Sequence, residues 1–130
     1  MRPPVPPALR RAYRLTEYTV SDVVLHIGRR SAGMDRVLRL QHQREAAFIT
    51  ACNPYSRPMP SGWNRRMMQN LKQATRRWPT LPANGRWRRW CEAHLVIFAP
   101  EPCAMVLARR FRQHGIVILR RAQPATLIIA

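Results

Sequence analysis

Residues 80–98, TLPANGRWRRWCEAHLVIF, decide how the rest of the chain connects. Pro82, Asn84, Gly85 and the arginines after them read as a loop over 82–89, and Leu95 to Phe98 read as a short buried strand. Upstream, Trp63, Met67, Leu71, Ala74 and Trp78 share one face of a helix. Ser61 can cap its start, and Pro79 forbids its continuation. Before that helix, Ala46 to Ala51 is apolar throughout, as a central strand is. Strand, helix, loop and strand in this order imply a right-handed crossover and a partly parallel sheet.

Working outward, the chain alternates from Tyr13 through Tyr18 and Val20, breaks at Ser21-Asp22, and resumes over Val23 to Ile27, which reads as a hairpin. Ser31 can cap a helix carrying Met34, Val37 and Leu38 at helical spacing. Pro100-Glu101-Pro102 opens a third helix with Leu107, Ala108 and Phe111 inward. Ile116 to Leu119 and Ala125 to Ile129 are strands joined by a turn at Ala122-Gln123-Pro124. The expected architecture is a single small α/β domain over residues 12–130. It has a mixed sheet of about five to six strands and three helices, in the order β-β-α-β-α-β-α-β-β. Residues 1–11 read as a flexible Pro/Arg-rich tail, with Pro3, Pro4, Pro6 and Pro7 favouring an extended polyproline backbone.

With 130 residues, this is enough chain for one hydrophobic core without disulfides or metal. The charge is +17, from 23 basic against 6 acidic residues, and all the basic residues but Lys72 are arginine. Such a balance attracts polyanions without specifying one, and codon usage in a GC-rich genome also favours arginine. The Arg-Arg pairs are scattered and form no localisation block. The 3 cysteines are unevenly spaced and imply no disulfide framework. No apolar run approaches the roughly 18 residues of a membrane span, and no signal peptide is visible, so a cytoplasmic location is expected.

The stretch FITACNPYSRPMPSGWN, 48–64, gathers an unusual number of side-chain amides and hydroxyls where a strand runs into a helix. In α/β sheets ligands collect at such ends. Asn53, Ser56 and Asn64 could therefore present donors to an anionic or carbonyl-bearing ligand. They could equally be holding a tight turn together, because turns select the same residue types. Glu92, beside Trp90, offers an acid or base with a raised pKa in a partly dry pocket. An ion pair with Arg88, Arg89 or Arg110 is the plainer alternative.

ITACNPYSR followed by GWN, WCE at 90–92 and FRQ at 111–113 resembles a small bacterial family, domain of unknown function 3293. The likeness runs from Tyr13 onward and departs at Cys52, where that family usually has an aromatic residue, which speaks against Cys52 as a nucleophile. The resemblance implies a shared fold and a shared polar set of Thr50, Asn53, Ser56, Asn64, Glu92 and Gln113. It carries no activity with it.

Several chemistries are disfavoured. Cys91 and His94, with Cys103 and His114, match no ordinary zinc spacing. Deaminase, phosphate-loop and dinucleotide signatures are absent, and the carboxylates are dispersed. No metal or cofactor is implied. Three function classes stay open. The first is a binding or accessory module taking a small polar ligand or a protein partner. The second is RNA or DNA binding through Arg65, Arg76, Arg86 and Arg88 with Trp87 stacking on a base. The third is an unrecognised hydrolase or transferase using Glu92. For the first, Asn53→Ala is expected to abolish binding with little loss of thermal stability.

Overall fold

The computed structural model describes residues 4–130. Pro3 of the expected tail lies outside them. The elements are α1 (Pro7–Leu15), β1 (Glu17–Val20), β2 (Val23–Leu25), α2 (Ala32–Leu40), β3 (Glu45–Ile49), a 3-10 turn (Pro54–Ser56), α3 (Ser61–Ala74), β4 (Thr80–Trp87), β5 (Trp90–Ile97), α4 (Glu101–Arg110), β6 (Gly115–Arg120) and β7 (Thr126–Ile129). Among the described residues the α/β domain has seven strands, in the order β2-β1-β4-β5-β3-β6-β7. Four helices accompany them, where three were expected.

The expected partly parallel sheet is corrected: every paired strand runs antiparallel to its neighbour. The reason lies in the quoted stretch. Residues 82–89 are not a loop but most of β4 and its turn. The two-residue connection Arg88-Arg89 folds β4 back onto β5, with Trp87 opposite Trp90. Arg88 takes the positive φ (56°) that such a turn needs. β5 lies between β4 and β3, antiparallel to both, so β3 and β4 still point the same way across α3. The crossover expected through that helix exists, but the hairpin return slips a strand between its ends. Pro82 is tolerated because β1 pairs only with residues 83–86 of β4, leaving the proline on an open edge.

Side chains alternate along each strand, so the sheet has two apolar faces. Ala47, Ile49, Leu95, Ile97 and Ile118 pack against Met68 and Leu71 of α3, Leu107 of α4 and Phe111 at its C-terminal cap. Ala46, Phe48, Val96, Val117 and Leu119 pack against Met34 and Leu38 of α2 on the other face. β3 is apolar on both faces because both are covered. Met68, not Met67, is the methionine buried on α3. Ser31 caps α2 as expected, accepting from Met34 N at 3.0 Å. Ser61 caps nothing: Pro60 holds the N-cap position of α3.

Two further differences concern the ends of the sheet. Pro7 to Leu15 is helical rather than extended, because Pro7 sits in the first turn, where its missing N–H costs nothing. Tyr13 therefore lies on α1 and the first strand starts at Glu17. Beyond β2, Ile27 makes an isolated parallel bridge to Ala125, with Gly28 N–H donating to Ala125 O at 2.8 Å. The sheet curls until its two edge strands touch at one corner.

Candidate ligand cleft

β3 ends at Ile49, and the next residues leave the sheet through a braced turn. Thr50 Oγ1 donates to Ala93 O at 2.7 Å and accepts from Cys52 N at 3.0 Å. Met68 Sδ accepts from Ala51 N. Asn53, Tyr55 and Ser56 all have positive φ (45°, 50° and 62°), a costly conformation for residues with a Cβ. The neighbouring side chains hold it. Asn53 Oδ1 accepts from Met59 N and from Asn64 Nδ2, both at 2.9 Å, and Asn64 Oδ1 accepts from Asn53 N at 2.9 Å. Gln113 Nε2 donates to Cys52 O at 3.0 Å and to Phe111 O at 3.1 Å.

The remaining donor of Asn53 points the other way. Nδ2 donates to Glu92 Oε2 at 2.8 Å, tying the junction to β5. Glu92 follows Trp90 and precedes His94 by alternate positions on that strand, so all three face the same side. They line a cleft of about 230 Å³ between α1 and the sheet. Thr50, Asn53, Ser56, Glu92 and Gln113 of the expected set reach this cleft. Asn64 does not; it stands behind Asn53, in a groove on the α3 side with Arg65 and Lys72.

Among the described residues, Glu92 pairs with no arginine. The ion pairs among the described residues are Arg30–Asp35, Arg120–Glu45 and Arg120–Glu101, so the pairing with Arg88, Arg89 or Arg110 is not formed. Burial holds the Glu92 carboxyl above its ordinary range, offset in part by hydrogen bonds from Asn53 and Trp90. Burial, with the Glu92 charge adding to it, also raises the Tyr13 hydroxyl from α1. In a chain of net charge +17, this acid makes no ion pair among the described residues and shares its cleft with Tyr13, Trp87 and Trp90.

His94, set aside above as a zinc ligand, has a definite place in the sheet. It is 9% exposed. Its ring stands edge-on to Tyr18 and Phe48, with centroids 5.9 Å and 6.3 Å away. A Cβ on Gly85 would meet its Cε1 at 2.7 Å, so the missing side chain opposite makes the room. Nδ1 lies 3.1 Å from the Glu92 carbonyl, which can only accept, so Nδ1 carries the proton and Nε2 is left as an acceptor. Burial lowers its pKa to about 4, and the ring is neutral near pH 7. Starting β5 at Trp90 would have exposed the W-x-E-x-H alternation that groups these residues.

The proposed nucleic-acid set is divided between the two faces. Arg65 is exposed on α3 and Arg76 in the turn that follows it. Trp87 lines the cleft on the other face, and the guanidinium of Arg88 lies over its ring at 4.7 Å. Arg86 is exposed on β4, opposite Cys91. Cys91 faces the α3-side groove and His94 the cleft, so the two cannot share a metal. No three His, Cys, Asp or Glu side chains gather among the described residues. Burial pushes the Cys52 thiol up, away from the reactive thiolate. No helix among those residues is long and apolar enough to cross a membrane.

The profile of a family described as "Protein of unknown function (DUF3293)" matches residues 49–116. The chain belongs to that family. The DUF3293 match begins at the last residue of β3 and ends in β6, so it spans the braced turn, α3, the β4–β5 hairpin and Gln113. These are the segments that build one end of the cleft. No curated protein and no solved structure matches the chain.

Proposed function

We propose that this protein is a binding module, acting as an accessory domain in a reducing, cytoplasmic setting, and that the cleft beside Asn53 and Glu92 takes a small polar ligand. One observation carries the reading: a half-buried carboxylate without an ion pair among the described residues, fixed by Asn53 at 2.8 Å, on the wall of an aromatic cleft. A carboxylate has about four acceptor positions, and Asn53 and Trp90 fill two. The rest serve a ligand with N–H or O–H donors. Cys52, Cys91 and Cys103 are all free thiols, with Cys91 exposed, which fits the compartment.

The test is a thermal-shift screen of a metabolite library against wild type and Glu92→Gln, an isosteric change that keeps the fold. Compounds that raise the melting temperature of wild type, and do so much less in the variant, are the expected result. A library with no such compound, or shifts of equal size in both proteins, would reject the cleft as a ligand site.

A further inference from the structure

The cleft does not end at its aromatic walls. Ala12 and Trp87 line both the cleft and a second groove, on the outer side of α1, which holds Arg11, Arg14 and Arg88. Arg11 and Arg14 are three apart on a helix and so share a face. None of the three forms an ion pair among the described residues. A carboxylate inside, a flat aromatic passage, and arginines outside form a graded site.

Each zone restricts the ligand. The volume of about 230 Å³ is below the roughly 300–1,000 Å³ of pockets that swallow whole drug-sized molecules, so the enclosed part is one ring system. Tyr13, Trp87 and Trp90 favour a planar one. Glu92 accepts and does not donate when ionised, and prefers two adjacent N–H groups in one plane. His94 Nε2 adds an acceptor in the same cleft. A free guanidinium or amine would also satisfy Glu92, but the groove adjoining the cleft holds three arginines of like charge that form no ion pair among the described residues. The outer groove calls for an anion attached to the ring.

We propose that the cleft binds a guanine nucleotide, with the base edge-on to Glu92 and the phosphate in the groove of Arg11, Arg14 and Arg88. Guanine alone among the common bases places a ring N–H beside an amino group on its pairing edge. Adenine sets a ring acceptor beside its amino group, which would face the carboxylate lone pairs, and uracil has a single N–H between two carbonyls. The inference rests on the cleft being a ligand site. The nucleotide is either free or part of a single strand, since both offer the same base and phosphate.

Trp87 and Trp90 line the cleft, so tryptophan quenching reads binding directly, with thermal shift as a check. The probes are GMP, guanosine, AMP, UMP, inorganic phosphate, and two short single-stranded RNAs, one with guanine and one without. GMP is expected to bind about 10-fold or more tightly than AMP or UMP, and Glu92→Gln should remove most of that preference. GMP should also exceed guanosine, with the difference erased by added salt and by Arg14→Gln with Arg88→Gln. Tighter binding of the guanine RNA than of GMP assigns the source to a strand and supports the proposal. Equal affinity for GMP and AMP, or phosphate competing as well as GMP, overturns it. If no nucleotide binds while another compound stabilises wild type and not Glu92→Gln, this proposal falls and the cleft reading stands.

Discussion

The two walls of the cleft spend their polar groups differently. On the 50–64 side, Thr50, Asn53, Asn64 and, from the neighbouring segment, Gln113 are committed to backbone partners that hold three left-handed residues in place. On the β5 side, Glu92 and His94 keep acceptor capacity that no described residue uses, in surroundings that penalise charge. The first wall resembles a brace and the second a reader. The contrast separates residues that are polar because a turn needs them from residues whose polarity costs stability and so asks for another reason.

The largest effect that would sharpen this contrast is expected at Asn53. Asn53→Ala strands Met59 N, takes one hydrogen bond each from Asn64 Nδ2 and Glu92, and leaves an alanine at a φ of 45°. The loss should be about 3–4 kcal/mol, or a fall of about 10 °C in melting temperature. The expectation that this substitution spares stability is thereby reversed. A variant melting within a degree or two of wild type would break the distinction between the walls.

His94 should give the next largest effect, and it is visible in pH. Its pKa is about 4 in the fold against about 6.5 in an unfolded chain. The neutral ring supports the fold fully above pH about 6.5, and that support drains away as pH falls toward 4, by up to roughly 3 kcal/mol. Urea melts from pH 7 to 4 should show this loss in wild type and a much smaller one in His94→Gln. Parallel curves for the two proteins would remove His94 from the account.

Glu92 should be the smallest, with the opposite slope. Its pKa is raised, so its contribution is complete below the ordinary carboxylate pKa and is lost as pH rises through the value in the fold. Glu92→Gln should therefore match or slightly exceed wild type at pH 7, within about 1 kcal/mol. A clear destabilisation at neutral pH would make Glu92 a brace like Asn53.

Much of this was legible in the sequence, for reasons that also explain the rest. β3, α3 and α4 were recoverable because long apolar runs and helical spacing record burial directly. The Asn53–Glu92 contact was reachable as a pair of motifs, although 39 residues separate them. β4 was hidden by Pro82, Asn84 and Gly85, which usually break strands, and by an Arg-Arg turn in place of the usual Asn-Gly. Missing it left β5 too short, and with it the common face of Trp90, Glu92 and His94. α1 was hidden because prolines read as extended chain when they also start helices. The place of His94 depends on Gly85 lying opposite the β5 face, which only strand pairing reveals.

The corner where Ile27 meets Ala125 has its own consequence. An open seven-stranded sheet has two rows of unsatisfied amides, and such rows recruit other chains into fibrils and precipitates. Here Gly28 N–H reaches Ala125 O, and Ala125 N–H reaches Arg29 O at 3.1 Å, so each edge blocks part of the other. The seam works as a clasp against self-association, and unfastening it should shorten the time the protein stays in solution before its melting temperature changes.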